Sequence, residues 1–470
     1  MGIILTFFAA ALLTTANYYP NLYFLSWIGF LPFLYYLYNI KEGELDYKSI
    51  FFNGWNLGFW ILVFTANFLY HSIKLYTGSS FFLIILILLL LFSLMSLIYP
   101  VFFLIYFYLQ RNLFNNNKFN PFLFALCWTT MEMIRYYLLS FFPLGNLSYT
   151  QAEFLSFIQL AEIGGIWIVS FILVFVNGLL FQFIFQKKFK DVFFIVILFL
   201  IIFSFSNFKE QQYLQKIKAK NGYQNIEVGI ITTKIDQNKK WTLKQLDQNI
   251  ELTLGALSDL KQAELIIAPE TNITFDFYAD KNYRKKFLKQ IAAEAESPIQ
   301  IGSLAGRDSS KGRYNSSFLI SETGEIISRY DKKLLLYFGE TYPFLELLNR
   351  FTPYNFSSLN AGEKEVLFKT KNLKWKTVIC SEILYPSFVK AKAAEFEFIV
   401  NQTNEAWFNN NRLLKNIMWQ AAVFRAVENR VPVIKTGNYS YNGIIYPSGE
   451  YKKVLSNKNY HLFNLKIMEK

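Results

Sequence analysis

Residues 377 to 382 read Thr-Val-Ile-Cys-Ser-Glu, a short apolar run that ends in a cysteine and an acid. Cys380 is the single cysteine after Lys209, and Cys127 is the other one in the chain. A free cysteine at the end of a strand is in many proteins a small buried apolar residue. It is also the residue type that performs nucleophilic attack when a base and a cation lie close to it.

Two further segments of the same half place an acid or a lysine at a comparable strand end. Residues 266–268 are apolar and precede Glu270, and residues 329–331 precede Lys332. An activated thiol needs a carboxylate that accepts its proton and a cation that stabilises the charge developing on the substrate oxygen. The sequence therefore predicts a catalytic set of Glu270, Lys332 and Cys380.

Histidine-based chemistry is disfavoured by composition. The chain has two histidines, His71 in an apolar N-terminal segment and His461 near the C-terminus. A Cys/His pair or a histidine-ligated zinc site is therefore not expected.

The N-terminal part of the chain is too apolar for an ordinary soluble domain. Overall, 53% of the residues are hydrophobic and 51 are phenylalanines, and the excess lies before Phe208. A helix of about 20 apolar residues crosses a hydrocarbon core of roughly 30 Å. We predict a multi-span helical membrane domain over residues 1–208 with about seven spans, near residues 3–18, 22–40, 51–73, 80–109, 120–141, 165–186 and 191–208.

Basic residues in the short loops predict the orientation of this domain, because lysine and arginine mark the cytoplasmic side. One set of alternate loops is basic and the opposite set carries only Lys74. The N-terminus is then cytoplasmic, and residues 209–470 lie on the periplasmic side of the inner membrane. The basic loop residues are Lys41, Lys48, Arg111, Lys118, Lys187, Lys188 and Lys190.

Residues 209–470 alternate between β-rich runs and helical patterns, which predicts a layered α/β domain. The predicted strands are residues 226–232, 265–268, 298–304, 317–320, 378–380, 396–401 and 431–436. The predicted helices are residues 241–260, 281–296, 386–395 and 412–430.

The net charge of +13 is concentrated in this second half, where 38 lysines and arginines face 27 acids. A basic face beside a bilayer favours anionic lipid headgroups, by about 1 kcal/mol per well-placed residue. A lysine-rich surface without a partner is an equally good interpretation. Nucleic acid is not expected as a partner, because the domain is predicted outside the cytoplasm and carries no recognition motif.

Ordered motifs along nearly the whole chain resemble one known family, the apolipoprotein N-acyltransferases, a membrane-bound branch of the nitrilase superfamily. In the N-terminal part, Glu132 and Arg135 are followed by similar Phe-Pro and Gly-x-x-x-Tyr-x-Gln patterns. The second half continues the likeness with Lys240-Trp241, Pro269-Glu270-Thr271, Tyr314-Asn315-Ser316, Phe338-Gly339-Glu340, Asn404-Glu405-Ala406-Trp407-Phe408, Arg425-Ala426-Val427-Glu428 and Asn438-Tyr439-Ser440.

The resemblance implies an αββα sandwich that carries a Glu-Lys-Cys triad, matched here by Glu270, Lys332 and Cys380. It implies acyl transfer from a phospholipid donor, through a thioester on the cysteine, to the α-amine of a diacylglyceryl-apolipoprotein, with no metal and no cofactor. A membrane-tethered amidase with the same triad is the alternative enzyme, and a non-catalytic lipid-binding protein is the alternative outside catalysis.

Accessory residues follow from the same resemblance. Glu340 and Glu382 match acids of the family motif that orient the lysine or tune proton transfer, and solvated surface acids are the other interpretation. Trp241, Trp407 and Phe408 line the acyl path or are ordinary core aromatics.

Three features depart from the family pattern. Ser381 stands where a tyrosine is usual, and Glu405 stands where an aspartate is usual. No apolar span follows Asn464, so the protein either lacks a C-terminal helix or continues beyond this sequence.

Overall fold

The structure is a computed structural model that describes residues 2–39, 47–113, 119–138, 143–218, 223–306, 312–337, 339–342, 349–350, 357–390, 395–454 and 458–468. It divides into two units. One comprises Met1–Tyr213 with Arg412–Glu428, and the other comprises Leu214–Asn411 with Asn429–Lys470. The domain boundary at residue 208 stays a prediction.

The first unit is helical. Its helices are α1 (Gly2–Tyr18), α2 (Leu31–Asn39), α3 (Tyr47–Ala66), α4 (Leu69–Thr77), α5 (Phe81–Met95), α6 (Ile98–Leu113), α7 (Pro121–Leu138), α8 (Leu155–Ile158), α9 (Ala161–Gln186) and α10 (Lys190–Lys218). Short 3₁₀ helices cover Pro20–Ile28 and Leu147–Gln151.

Four described segments are long and apolar enough to cross a membrane, and Gly2–Tyr18 is a shorter apolar helix. The four are Tyr47–Ala66, Phe81–Asn112, Ala161–Gln186 and Lys190–Tyr213. Each of the seven predicted segments contains helix, but three are divided. Residues 22–40 are divided between a 3₁₀ helix and α2, residues 51–73 between α3 and α4, and residues 80–109 between α5 and α6. The count of seven spans stays a prediction.

The acid and the arginine on α7 do not pair with each other. Leu147 N donates to Glu132 Oε1 at 2.9 Å, and Arg135 Nη2 donates to Asn146 Oδ1 at 2.7 Å. Both side chains are buried. They therefore hold the segment that follows α7 against this helix.

A helix from the C-terminal half of the sequence packs into the helical unit. In α14 (Arg412–Asn429), Asn416 Nδ2 donates to the carbonyls of Asn17 and Tyr18, at 2.9 Å each. Gln420 Nε2 donates to Ala16 O at 3.0 Å. These bonds satisfy carbonyls at the C-terminal end of α1, which have no partner within that helix.

The second unit contains two six-stranded sheets. The first has the order β12-β1-β2-β3-β4-β5 and the second has the order β11-β10-β9-β8-β7-β6. The strands are β1 (Tyr223–Ile231), β2 (Leu265–Ile267), β3 (Ile299–Gly306), β4 (Arg313–Ile320), β5 (Ile326–Asp331), β6 (Leu367–Lys369), β7 (Lys374–Ile379), β8 (Phe398–Asn404), β9 (Val433–Asn438), β10 (Gly443–Ile445), β11 (Tyr451–Lys453) and β12 (Tyr460–Met468).

The two sheets pack face to face. Gln300 on β3 donates to Gln402 Oε1 on β8 at 2.9 Å, and its own oxygen accepts from Trp375 Nε1 on β7 at 2.8 Å. Helices α11 (Leu243–Asp259) and α12 (Lys281–Glu294) cover the first sheet through apolar residues such as Leu257 and Ile291. The predicted α/β sandwich is therefore confirmed.

The predicted strands of this half and three of its four predicted helices are confirmed, with limits that shift by up to four residues. The helix predicted over residues 386–395 is too long: α13 covers Pro386–Val389, Lys390 and Glu395 are not helical, and residues 391–394 lie outside the described residues. Five strands, β5, β6, β10, β11 and β12, were not predicted.

The direction of the strands determines the edge of the sandwich at which their carboxyl ends lie. Strands β1, β2 and β3 are parallel neighbours in the first sheet, as are β7, β8 and β9 in the second. A parallel bridge between Thr233 and Asn438 joins the chain after β1 to the end of β9. The carboxyl ends of both parallel sets therefore meet at one edge of the sandwich.

Candidate active site

The three residues of the predicted catalytic set follow the carboxyl ends of three strands. Cys380 comes directly after β7, Lys332 directly after β5, and Glu270 three residues after β2. All three side chains are buried. Side chains that follow strand ends at one edge lie close together, and this edge is where α/β proteins build their sites.

Cys380 has an unusual backbone. Its φ of 51° lies in the left-handed region, which residues with a side chain seldom adopt. Asn401 on the neighbouring strand β8 donates to the carbonyls of Val378 and Cys380, at 3.3 Å each. The strained turn is thus held from the next strand, which is the usual condition under which such strain persists at a functional site.

A chain of short hydrogen bonds runs from Glu270 to Lys332. Asn315 Nδ2 donates to Glu270 Oε1 and to Glu340 Oε1, at 2.6 Å each. Lys332 Nζ donates to Glu340 Oε2 at 2.6 Å. Glu340 also accepts from Leu336 N at 2.8 Å. Glu340 therefore fixes the lysine, and Asn315 couples this pair to Glu270.

One oxygen of Glu270 has no donor in the described part of the chain. Oε1 accepts from Asn315, whereas the buried Oε2 accepts from no described group. An unsatisfied buried carboxylate oxygen is energetically unfavourable in a purely structural residue. It is the atom that a general base uses to accept a proton.

Burial and neighbouring charges shift the pKa values of these groups. Burial raises the pKa of Glu270, and the charge of Lys332 opposes the shift. Burial and the nearby Glu270 raise the pKa of the Cys380 thiol. Burial alone lowers the pKa of Lys332, but Glu340 and other acidic neighbours outweigh it and raise that pKa. The Cys380 thiol is therefore protonated, Lys332 stays charged, and Glu270 is a stronger base than an exposed glutamate.

Glu382 ties two of these strand ends together. Its Oε1 accepts from Tyr330 OH at 2.7 Å, Lys333 N at 2.8 Å and Leu334 N at 3.1 Å, and its Oε2 accepts from Ile379 N at 2.8 Å. The side chain is fully buried. Because these donors flank Lys332 and Cys380, Glu382 sets the separation of the two segments.

The other predicted residues lie in different environments. Trp241 is 44% exposed, whereas Phe408 is buried and Trp407 is half-buried. The buried Glu405 is paired with Lys435, whose Nζ lies 2.7 Å from Oε1. Among the described residues, no group of three or more His, Cys, Asp or Glu side chains could hold a metal ion.

Asn315 and Lys240 lie within the motifs that resemble the family, but the sequence did not predict a role for either residue. Asn315 lies in β4, whose buried residues include the polar run Asn315-Ser316-Ser317. Polar residues in a buried strand need partners, and this run was the available signal. Lys240 is buried, and its Nζ donates to Thr271 Oγ1 at 2.6 Å and to Glu270 O at 3.4 Å.

Two family models match the chain. The apolipoprotein N-acyltransferase N-terminal domain matches residues 9–179, and the carbon-nitrogen hydrolase domain matches residues 228–450.

Curated relatives match both parts. The apolipoprotein N-acyltransferase of Geobacter metallireducens is 29% identical over 346 residues, covering 70% of this chain and 64% of that protein. The protein of the same name from Borreliella burgdorferi is 27% identical and covers 69% of this chain and 65% of its own length. The apolipoprotein N-acyltransferase of Aquifex aeolicus is 28% identical, and the match covers 72% of this chain and 73% of that protein. The matched region thus spans slightly under two thirds of the first two relatives.

Solved structures match about half of the chain. A CN-hydrolase superfamily protein from Xanthomonas campestris has a TM-score of 0.37 and 13% identity, covering 52% of this chain and 91% of that chain. An amidase from Nesterenkonia sp. has a TM-score of 0.38 and 13% identity, and the match covers 51% of this chain and 90% of the amidase.

The paired sheets and the matched domain define the second unit as a nitrilase-type carbon-nitrogen hydrolase domain. This domain follows a membrane-type helical region in the same chain, and the chain is a membrane protein. With both domains present in order, the chain is similar over most of its length to the apolipoprotein N-acyltransferases.

Proposed function

We propose that this protein transfers an acyl chain from a phospholipid to the free α-amine of the N-terminal diacylglyceryl-cysteine of apolipoproteins, through a thioester on Cys380. The observation that carries the proposal is the presence, in one chain, of the N-terminal domain of the apolipoprotein N-acyltransferases and a carbon-nitrogen hydrolase domain. The buried cluster of Glu270, Lys332 and Cys380 supports it.

In the first half-reaction, Glu270 accepts the thiol proton on Oε2, and the sulfur of Cys380 attacks the ester carbonyl of the phospholipid. Lys332 stabilises the oxyanion of the tetrahedral intermediate. Collapse of the intermediate breaks the ester bond, and Glu270 returns the proton to the departing lysophospholipid oxygen. The acyl chain is then held as a thioester on the enzyme.

In the second half-reaction, the α-amine of the lipoprotein attacks the thioester carbonyl. Glu270 accepts a proton from the amine and delivers it to the departing sulfur, so an amide forms and Cys380 is regenerated as a thiol. Every atom and electron is accounted for by the two substrates. The reaction therefore needs neither a metal nor a cofactor.

The accessory residues have separate roles in this scheme. Glu340 orients Lys332 through the 2.6 Å ion pair, and Glu382 holds the segments that carry Lys332 and Cys380. Trp241, Trp407 and Phe408 contribute aromatic surface that suits an acyl chain.

The basic loops of the helical region support an orientation in the bacterial inner membrane with the catalytic domain on the periplasmic side. In that location, phospholipids of the outer leaflet and exported lipoproteins are both within reach. Cys380 has no second cysteine in its own domain, so an oxidising compartment leaves it without an intramolecular disulfide partner.

The test is to incubate the full-length protein, reconstituted in vesicles, with acyl-labelled phospholipid and to search by mass spectrometry for a hydroxylamine-sensitive adduct. Cys380→Ala removes the proposed nucleophile, and Cys127→Ala is the matched control because Cys127 is the other cysteine of the chain. We expect the adduct in wild type and in C127A, and no adduct in C380A.

A diacylated lipopeptide with a free amine is then added, with its N-acetylated form as the control acceptor. Discharge of label onto the free amine alone supports N-acyl transfer. Release of the label as free fatty acid with either peptide would instead indicate the hydrolase, and absence of any adduct in wild type would contradict the proposed donor.

A further inference from the structure

Lys240 is a buried cation whose described partners are all neutral. Besides Thr271 Oγ1 at 2.6 Å and Glu270 O at 3.4 Å, its Nζ lies 3.0 Å from the side-chain amide of Asn404, which accepts a hydrogen bond from it once the amide is turned with its oxygen toward the lysine. Within the described residues it forms no ion pair. The buried Lys332 and Lys435, in contrast, each pair with a glutamate, at 2.6 and 2.7 Å.

An ammonium group that is buried without a carboxylate partner is unfavourable for stability. Burial lowers the pKa of Lys240 to about 7, although Glu270 and Cys380 oppose the shift. An apolar residue of similar length would avoid this unfavourable burial. The lysine at this position therefore points to a role that its hydrogen bonds perform.

Its partners belong to a strained turn. Thr271 has a φ of 45°, in the left-handed region that a β-branched residue avoids. Gly302 on β3 packs directly against this turn, because a Cβ there would lie 2.5 Å from Thr271 N and 2.7 Å from Glu270 Cα. Such a turn persists only when its surroundings hold it.

The lysine also connects the two sheets. Glu270 follows β2 of the first sheet, and Asn404 ends β8 of the second, next to β7 and Cys380. A single ammonium group that binds both strand ends restricts the separation between the base and the nucleophile.

We propose that Lys240 is a positioning residue for acyl transfer: its ammonium group fastens the Glu270–Thr271 turn of one sheet to Asn404 of the other and so holds the Glu270 carboxylate against Cys380. The proposal rests on the proposed roles of Glu270 and Cys380 in this reaction.

Lys240→Met tests it in the full-length protein, with the exposed neighbour Lys239→Met as the matched control. Two rates are measured. Alkylation of Cys380 by iodoacetamide at neutral pH requires the base but no lipid, and single-turnover acylation by labelled phospholipid separates the maximal rate from KM. We expect K240M to lower both maximal rates by about 100-fold, the usual effect of a misplaced catalytic group, with little change in KM. K239M should match wild type.

A second pair of variants covers the case in which K240M does not fold. Thr271→Val removes the hydroxyl that Lys240 binds and keeps the shape, whereas Thr271→Ser keeps the hydroxyl. We expect T271V to lower both rates by about tenfold and T271S to lower them far less. Wild-type rates in a folded K240M, or equal losses in T271V and T271S, would overturn the proposal.

The two readouts separate this proposal from the proposed function. If alkylation depends on Lys240 but wild type forms no thioester with phospholipid, the positioning role stands and the substrate assignment fails. If wild type transfers the acyl chain and K240M does so equally well, the function stands and the positioning role fails.

Discussion

Glu340 is joined to Glu270 through one side-chain amide, because Asn315 Nδ2 lies 2.6 Å from an oxygen of each carboxylate. Two acids joined through one amide group repel each other when both are charged. Asn315 bridges them with its N–H groups, while Lys332 neutralises Glu340 from the other side. This arrangement leaves Glu270 Oε2 as the oxygen that can accept a proton.

We expect Asn315→Ala to lower the rate of thioester formation by about 10- to 100-fold, because Glu270 loses the bond that orients it. Single-turnover acylation with labelled phospholipid measures the effect. Ser316→Ala is the control on the same strand, since Ser316 donates to Asp331 at 2.6 Å and to no carboxylate of the site. Equal rate losses in both variants would show that β4 is merely sensitive to substitution.

Two buried glutamates should respond differently to replacement by glutamine. Glu382 accepts four hydrogen bonds, so Glu382→Gln places an amide N–H against a donor and should destabilise the domain by about 2 kcal/mol or more. Glu270→Gln removes the carboxylate that accepts the thiol proton, so it should abolish thioester formation. Because burial disfavours the charge of Glu270, the same change should cause no loss of stability.

Thermal unfolding of the detergent-solubilised variants checks both expectations, with thioester formation as the second readout. A stable E382Q protein would contradict the anchoring role of Glu382. An E270Q protein that still forms the thioester would contradict the assignment of Glu270 as the base.

Gly302→Ala should disrupt the site through the backbone. The added methyl group would lie 2.5 to 2.7 Å from main-chain atoms of residues 269–271, so the turn must move. We expect a loss of about 1–3 kcal/mol in stability, together with lower acylation.

Gly255→Ala is the matched control for this change. Apart from the adjacent backbone of helix α11 itself, no atom of the described residues lies within 4 Å of a Cβ at position 255, and alanine should stabilise that helix by roughly 0.5–1 kcal/mol. Melting temperatures that shift in the same direction in both variants would contradict the close packing of Gly302 against the turn.

The effects of replacing the predicted aromatic residues should differ with the exposure of each side chain. Trp241 is 44% exposed, so Trp241→Ala should raise KM for phospholipid with little effect on the melting temperature. Phe408 is buried, and Phe408→Ala should destabilise the domain by about 3 kcal/mol. A lowered melting temperature in W241A with unchanged KM would indicate that Trp241 serves packing.

The positions of Glu270 and Cys380 at strand ends could be predicted, because an apolar run followed by a chemically active residue is a local pattern. The α/β sandwich followed from the alternation of strands and helices for the same reason. Lys332 follows β5, whose last residues, Arg329-Tyr330-Asp331, are not an apolar run, so that strand was missed. Strands such as β10 and β11, at three residues each, are too short to produce a periodic signal.

Contacts between distant parts of the chain could not be predicted from these patterns. Glu382 was expected either to orient Lys332 or to tune proton transfer, and its four donors favour orientation. The packing of Asn416 against the end of α1 joins residues about 400 positions apart. No local propensity encodes such a pairing, since it depends on the assembled fold.

The charge of Lys240 should appear in the pH dependence of stability. Its pKa is about 7 in the folded protein, whereas an unfolded lysine titrates at about 10.4. Between these values the unfolded chain binds a proton that the folded chain does not, so the free energy of unfolding rises with pH in this window.

Lys240→Met removes the group that titrates. We therefore expect the stability of wild type to increase relative to K240M as pH rises from about 7 to about 10. Melting temperatures of both proteins across this range measure the difference. A difference that does not change with pH would mean that Lys240 keeps an ordinary pKa and is not desolvated as its burial implies.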